Sequence, residues 1–272
     1  GTGTYSLTGQ NYLFSGIRIQ TDTLGVTSIQ GNLITAININ GFSSTSSPDN
    51  AAIAVLGGKV NIGDITPNTI GGTGGSNYIT ITNPTSTNYT CRGIGLYALT
   101  PTIAKLRNNI IGGVSISSAT PSIGGTLTGI FVVSIVSLDI GNNTVGNIFP
   151  NNMQVGTVGT TTASTNVQGI WVSNSSINKN LVEFNTVQNF TSAGIGGSAN
   201  GIIVHGSVND TAKLVQNTVR YISSNSASPS FNSYGIFIAG SNHSLIEKNT
   251  VSGIYGLNNS SVGTGVAGIY HN

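Results

Sequence analysis

Hydrophobic and polar residues alternate in a pattern that returns many times along this chain. A Gly-Ile-x-Val-like tetrad, as at 129–132, is followed about fifteen residues later by the pattern x-Leu/Val-x-x-Asn-Thr-Val-x-x-Ile, as around Asn143. Short alternating segments rich in Ile and Val predict β-strands. No segment holds a helical spacing of apolar residues for ten residues. The pattern therefore predicts an all-β protein.

The repeated Asn defines the period of the pattern. Successive copies lie 32 to 42 residues apart, and an eighth repeat begins at Gly268-Ile269. A period in this range indicates a solenoid, a propeller or another repeat array. The seven positions are Asn32, Asn68, Asn109, Asn143, Asn185, Asn217 and Asn249.

Each repeat is predicted to contain three short strands: the tetrad strand, the strand that ends at Asn, and the strand that begins at Thr-Val. Coils stacked about 4.8 Å apart let each strand pair with its copy in the next coil. Asn fits a tight bend here, because it tolerates left-handed backbone geometry and its amide bonds neighbouring backbone. We therefore expect the seven Asn side chains to form a ladder at one corner.

These repeats closely resemble the right-handed parallel β-helix repeats of pectate lyases, polygalacturonases and many bacterial surface proteins, over residues 14 to 270. The resemblance implies a right-handed parallel β-helix, or β-solenoid, of about seven coils in a single domain spanning 1–272. A WD-type propeller has a similar period but expects four strands and Trp-Asp punctuation, which this chain lacks. No polar cap is evident at either end, so a fragment of a longer protein is expected.

Composition excludes several functional classes. Only 6% of the residues are charged, with 9 Lys and Arg against 7 Asp and Glu, which predicts no footprint for nucleic acid. The longest apolar stretch, 127–140, is interrupted by Ser134 and Ser137 and predicts two buried strands, so no membrane insertion is expected. A single Cys91 excludes an internal disulfide.

A charge-poor β-helix rich in Ser, Thr, Asn and Gly is similar to secreted or surface proteins of Bacteroidetes-like bacteria. The segments Asp22-Thr23-Leu24 and Asp210-Thr211-Ala212 resemble short O-glycosylation sites of that group. The resemblance implies an extracellular or cell-surface location, with Thr23 and Thr211 as candidate glycosylation sites.

The acidic residues do not predict a catalytic site. β-Helix enzymes that cleave acidic polysaccharides need clustered carboxylates, as Ca²⁺ ligands or as an acid and base pair. Glu183 and Glu247 share an outward column with Val215 between them, so they should lie roughly 10 Å apart, at the edge of an inverting pair. Lys105 and Asp139 are expected to form a surface ion pair of little energetic value. The seven acids are Asp22, Asp49, Asp64, Asp139, Glu183, Asp210 and Glu247.

No metal or cofactor is predicted. His205, His243 and His271 do not form a ligand set, and no metalloprotease, paired-cysteine or serine-nucleophile motif occurs. The glycine pattern at 263–268 matches a dinucleotide-binding motif, but its last Gly is the repeat glycine and no helix is predicted after it.

An aromatic stripe is the most suggestive surface. The third residue of each tetrad should point outward, because successive side chains of a strand alternate between faces. Such a stripe can stack on sugar rings or dock a partner. The alternative is that the variable segments before this strand fold back and bury it. The candidate residues, including two from the next outward column, are Tyr97, Phe131, Trp171, Ile203, His205, Phe237 and Tyr270.

Three functions remain open. The first is a non-catalytic β-solenoid segment of a large secreted or surface protein, acting as stalk, fibre or adhesin. The second is a glycan-binding module that uses the aromatic stripe. The third is a polysaccharide lyase or glycoside hydrolase, against which the scarcity of charge argues. The expected partners are glycans, or other copies of the chain packed end-to-end or laterally.

Overall fold

The computed structural model describes residues 5–8, 14–41, 50–74, 78–82, 89–97, 103–118, 120–133, 137–173, 179–206, 211–226, 232–240, 243–256 and 265–272. Over these ranges the chain contains 27 strands, all paired in parallel, and no helix. The strands form three sheets, and in each coil the chain passes through the first, the second and then the third sheet.

The first sheet is built from the tetrad strands. Its eight strands stack in chain order, so that Ile94, Ile130, Ile170, Ile202 and Ile236 occupy one inward column. The strands are Ser15–Ile19, Ala51–Val55, Tyr89–Tyr97, Gly125–Val133, Ser164–Ser173, Gly196–His205, Ser233–Ala239 and Val266–His271.

The second sheet contains the strands that lead to the repeated Asn. Its seven strands also stack in chain order, with Leu106, Ile140, Val182 and Leu214 in one buried column. The strands are Val26–Ile29, Lys59–Ile62, Ile103–Arg107, Ser137–Gly141, Lys179–Glu183, Thr211–Val215 and His243–Glu247.

The third sheet follows the repeated Asn and has twelve strands. In the early coils a bend divides each copy into two short strands. In the last three copies the strand continues through the bend, where Asn189, Tyr221 and Gly253 have positive φ. The strands are Tyr5–Thr8, Leu33–Ile34, Ile37–Asn40, Thr69–Gly71, Ile79–Thr82, Ile110–Gly112, Val114–Ser117, Thr144–Val145, Met153–Val155, Thr186–Ser192, Thr218–Ser224 and Thr250–Gly256.

The architecture is a parallel β-solenoid, as the repeat predicted. Each strand of the second sheet pairs with the same strand of the neighbouring coil, and the chain makes about six turns between the first and the last of its seven strands. Backbone hydrogen bonds therefore run along the solenoid from coil to coil. The residues paired in adjacent coils are some 32 to 42 residues apart in sequence, which is the period of the repeat.

A continuous core of Ile, Val and Leu fills the solenoid. Each such side chain contributes about 1.5–3 kcal/mol when it is fully buried. The tetrad begins with Gly because this core leaves no room for a side chain there. A Cβ on Gly129, Gly169 or Gly201 would overlap the Val of the Thr-Val strand in the same coil, and none of these glycines has a positive φ. The repeat glycine is therefore a packing requirement.

The Asn ladder is continuous over all seven positions, which confirms the prediction. The side-chain Nδ2 of Asn109 donates to Asn143 Oδ1 at 3.0 Å, and Asn143 Nδ2 donates to Asn185 Oδ1 at 3.0 Å. The same amides also donate to backbone carbonyls, for example Asn143 Nδ2 to Leu106 O at 2.9 Å. The remaining steps have the same form, from Asn32 at one end to Asn249 at the other.

The conformational reason expected for the ladder Asn is wrong. None of the seven has a positive φ. The left-handed residue is the one immediately before the Asn in six coils, where the chain turns from the second sheet to the third. These residues are Gly31, Asn108, Asn142, Phe184, Gln216 and Lys248, with φ between 54° and 65°. Asn is required for its amide.

Candidate functional site

The structure brings the predicted stripe together as one column on the outer face of the first sheet. Phe131 lies opposite Trp171, which lies opposite Ile203, and the column continues to Phe237 and Tyr270. Each step is one coil, so every pair of neighbouring rings is held by a parallel strand pair.

The rings of this column pack against each other. The Phe131 and Trp171 ring centroids are 5.1 Å apart in an edge-to-face arrangement, and those of Phe237 and Tyr270 are 5.7 Å apart in a stacked one. Tyr234 stacks on both Phe237 and Tyr270, at 5.0 and 5.2 Å. All of these distances lie in the favourable range for aromatic pairs.

The stripe is covered in part. Phe131 is 9% exposed and Ile203 5% exposed, so neither contributes to an open surface. Trp171, Phe237 and Tyr270 are half-buried. The indole Nε1 of Trp171 is buried and finds no hydrogen-bond acceptor.

Arg92 covers one end of the stripe. Its guanidinium lies 4.2 Å from the centroid of the Phe131 ring and donates a hydrogen bond of 2.8 Å to the Tyr97 hydroxyl. Tyr97 in turn packs on Phe131 at 5.6 Å. At the other side His205 is exposed and packs edge-on against Phe237 at 5.4 Å, and desolvation of its ring lowers the pKa of His205.

A polar column borders the stripe on the same face. Thr128, Gln168 and Asn200 lie opposite one another in successive coils. Thr128 Oγ1 donates to Gln168 Oε1 at 2.9 Å, and Asn200 Oδ1 accepts the backbone N–H of Tyr234 at 2.9 Å. All three side chains are buried. This polar column is therefore packed beneath neighbouring groups, and the half-buried rings are the more accessible part of the face.

Sequence reasoning missed Arg92, Gln168 and Tyr234 in this face. The sequence contained a signal for these three residues, because each stands immediately before the first Gly of a tetrad. The kink at that Gly interrupts strict alternation: the pairing passes from Thr128 opposite Gln168 directly to Ile130 opposite Ile170. An alternation rule that continues through the Gly assigns these residues to the wrong face.

The acidic residues of the second sheet are held in ion pairs. Arg107 Nη2 lies 2.7 Å from Asp139 Oδ1 and 2.6 Å from Glu183 Oε1, and the hydrogen bond to Asp139 contributes most to raising the pKa of Arg107. Lys105 pairs with Asp64 at 2.7 Å. The expected Lys105–Asp139 pair is therefore wrong, although the two residues do lie opposite each other. The Arg107 guanidinium contacts the carboxylates of Asp139 and Glu183 together, whereas the Lys105 ammonium group contacts that of Asp64.

Glu183 and Glu247 occupy the predicted column with Val215 between them. Glu183 forms an ion pair with Arg107, whereas Glu247 lies on the surface 3.4 Å from Lys248. The two acids thus share no site. Over the described ranges no three His, Cys, Asp or Glu side chains come close enough to hold a metal ion. Asp49 and Asp210 lie outside those ranges.

The two candidate glycosylation residues lie in different surroundings. Thr23 is exposed in a turn where Asp22 Oδ1 accepts the backbone N–H of Leu24 at 3.0 Å. Thr211 is half-buried at the start of its second-sheet strand. The Thr23 hydroxyl is therefore the more accessible of the two.

No helix in the part of the chain that the structure describes is long and apolar enough to cross a membrane. The chain matches no protein-family model, and no curated protein or solved structure is significantly similar to it.

Proposed function

We propose that the chain is a non-catalytic β-solenoid segment of a large secreted or cell-surface protein, serving as a stalk, fibre or adhesin. The observation that supports this most is the state of the carboxylates: Asp64, Asp139 and Glu183 are each engaged by a cation at 2.6 to 2.7 Å. The oxygens of these carboxylates are bonded to side chains of the chain itself, so they are not presented to a substrate as a catalytic pair would be.

The lengthwise bonding also supports a structural role. The ladder and the parallel strand pairs join each coil to the next, so a load along the axis is shared by many hydrogen bonds. We extend the proposal to kinship with the pectate-lyase-like superfamily and to an origin among Bacteroidetes-like bacteria. The repeat pattern and the charge-poor composition support this extension.

Turnover assays test the proposal. Polygalacturonate, alginate and neutral polysaccharides are incubated with the protein, and new reducing ends and unsaturated uronates are measured. We expect no product above background. Turnover that disappears in Glu183→Gln or Glu247→Gln, but persists in the exposed-turn control Asp22→Asn, would overturn the proposal.

Glycan binding on the first sheet is the second candidate function. It is favoured by the rings of Trp171, Phe237 and Tyr270, which are half-buried and lie in one column of the first sheet. Trp171 is the only Trp of the chain, so its fluorescence reports on this face directly. Neutral oligosaccharides should shift the emission, and Trp171→Ala should weaken their binding.

The matched control for this candidate is Phe184→Ala, which removes an exposed aromatic ring that lies outside the first sheet. If no oligosaccharide changes the Trp171 fluorescence emission, glycan binding by this face is contradicted. Emission that changes with protein concentration alone instead supports lateral packing of one copy on another.

A further inference from the structure

A groove runs along the outer face of the third sheet, whereas the aromatic stripe lies on the first sheet. Two adjoining cavities of about 300 and 470 Å³ share Val158, Thr191, Ser223 and Tyr255 as lining residues. Thr191, Ser223 and Tyr255 lie opposite one another in three successive coils and form the floor. The combined volume falls in the range of small-molecule sites.

Two exposed tyrosines in consecutive coils line the groove. Tyr221 is 52% exposed and Tyr255 is 60% exposed, which is unusual for large aromatic side chains on a well-packed sheet. Tyr221 has a φ of 56°, a conformation that costs an ordinary residue about 1–2 kcal/mol. Its ring lies against Gly253, where an added Cβ would be 3.1 Å from Tyr221 Cδ1. The same bend occurs at Asn189 and Gly253 in the neighbouring coils, so its geometry belongs to the repeat, and in this coil it holds the Tyr221 ring beside the groove.

The opposite wall is fastened to the sheet. Thr191 Oγ1 donates a hydrogen bond of 2.6 Å to Asn151 Oδ1, and Asn189 Nδ2 donates to the carbonyl of Asn147. Pro150 and Val158 complete this wall. A groove whose walls are already ordered binds its ligand with a smaller entropic cost.

The lining chemistry selects the class of ligand. Among the described residues that line the two cavities, none has a carboxylate, an ammonium, a guanidinium or an imidazole group. An ionic ligand would lose its hydration without gaining a counter-charge. A purely apolar ligand would displace water from the Ser223 hydroxyl, and from the acceptor sites that remain on Thr191 Oγ1 and Asn225 Oδ1, without replacing the lost hydrogen bonds. Aromatic faces beside hydroxyl and amide groups match a neutral sugar, which has apolar ring faces and hydroxyl edges.

We propose that this groove binds a neutral glycan, independently of the first-sheet face. Tyr221 and Tyr255 stack on the faces of sugar rings, and Thr191, Ser223 and Asn225 exchange hydrogen bonds with sugar hydroxyls. The proposal does not depend on the function suggested above, because a structural segment and a catalytic one could each contain such a site.

Isothermal titration calorimetry on the intact chain tests the groove. The probes are neutral oligosaccharides of the gluco-, xylo-, manno-, galacto- and N-acetylglucosamine types, with hexagalacturonate as the anionic counterpart. We expect at least one neutral probe to bind with a Kd of about 1 mM or tighter. Tyr255→Ala should weaken that binding about tenfold, and Tyr255→Phe, which keeps the ring, should retain most of it.

Phe184→Ala is the matched control, because it removes an exposed aromatic ring that lines neither cavity and should leave the affinity unchanged. Thermal melting should be the same for Tyr255→Ala and the parent chain, since the side chain is largely exposed. Three outcomes overturn the proposal: no neutral probe binds, the affinity is unchanged in Tyr255→Ala, or hexagalacturonate binds as well as the best neutral probe. Binding lost only in Trp171→Ala assigns the sugar to the first-sheet face instead.

Discussion

The guanidinium of Arg107 reaches across Gly141 to the carboxylate of Glu183, two coils away, at a distance of 2.6 Å. Gly141 occupies the same column in the intervening coil, and a Cβ there would lie 2.8 Å from Arg107 Cζ. Asp139 accepts a second bond from the same guanidinium, so one Arg joins three consecutive coils. The missing side chain at position 141 makes this contact geometrically possible.

Gly141→Ala is therefore expected to displace the guanidinium and to lower the free energy of unfolding by about 1 kcal/mol, the upper range for a partly exposed ion pair. Position 141 has no positive φ, so Ala itself introduces no backbone strain. Urea denaturation of a double-mutant cycle isolates the effect. In an Arg107→Met background the same Gly141→Ala change should cost nothing, and an equal loss in both backgrounds would refute the interpretation.

The centre of the Asn ladder should matter far more than its end. Asn143→Ala leaves the backbone N–H of Asn109 without its acceptor and removes the donor to Leu106 O. Both groups are buried, and each unsatisfied group costs about 1–3 kcal/mol. We expect a loss of about 3 kcal/mol or more in the free energy of unfolding.

The control for the ladder is Asn249→Ala at its last position. Asn249 is half-buried and its neighbours are more accessible to water, which can replace the lost bonds. Denaturant titrations of the two variants should give a clearly smaller loss for Asn249→Ala. Equal losses would show that the ladder does not act through buried hydrogen bonds.

The sequence predicted the ladder and the three strands per coil because both depend on residues that recur at fixed offsets. It failed to locate the left-handed residue, since that position holds Asn, Gly, Gln, Lys or Phe184 in different coils and shares a backbone conformation without sharing a residue type. The partner of Asp139 was also missed, because strand register places Lys105 opposite it but side-chain length and the gap at Gly141 bring Arg107 instead.

The candidate sites were predictable to different degrees. Alternation placed Phe131 and Trp171 in one column, because the side chains of a strand follow its pleat. Alternation gives no information on what lies above that column, so the burial of Phe131 did not follow from it. The groove beside Tyr221 depends on the path of the segment around Pro150 and Val158, which lies outside the repeat.

The repeat glycine provides a prediction about packing. A Cβ on Gly169 would overlap Val187 Cγ1 and lie 2.9 Å from Phe190 Cε2. Overpacking of this kind costs about 1–3 kcal/mol. Gly169→Ala should therefore lower the midpoint of thermal unfolding, while Gly25→Ala, which has nothing within 4 Å of the new Cβ, should leave it unchanged. A neutral Gly169→Ala would mean that the repeat glycine is not a packing requirement.

Asn180 is a core position with an unfavourable residue. It lies opposite Leu138 and Ala212 in the inward column of the second sheet, and neither its Oδ1 nor its Nδ2 has a hydrogen-bond partner. Leu has a similar size and no polar atoms, so Asn180→Leu should raise the free energy of unfolding by about 1–2 kcal/mol. Chemical denaturation measures the change. A loss of stability would indicate that the amide is satisfied by water in solution.

Cys91 provides a prediction about pH. Its side chain is buried beneath the first sheet, and desolvation raises the pKa of the thiol from 9.0 to about 12, with Arg92 opposing the shift. Burial likewise raises the pKa of Tyr89. Because the folded pKa lies above the unfolded one, the native state keeps its proton over a range where the unfolded chain releases it.

The stability contributed by the protonated thiol is therefore fully present below about pH 9 and is lost as the pH rises toward about 12. Urea midpoints measured across this range should fall, and the fall should be shallower in Cys91→Ala, which removes the thiol but keeps Tyr89. At neutral pH the buried thiol should react with an aromatic disulfide reagent only as fast as the chain opens, because the thiolate is the reactive form. Rapid modification of the native protein, or an identical pH profile in Cys91→Ala, would contradict this assignment.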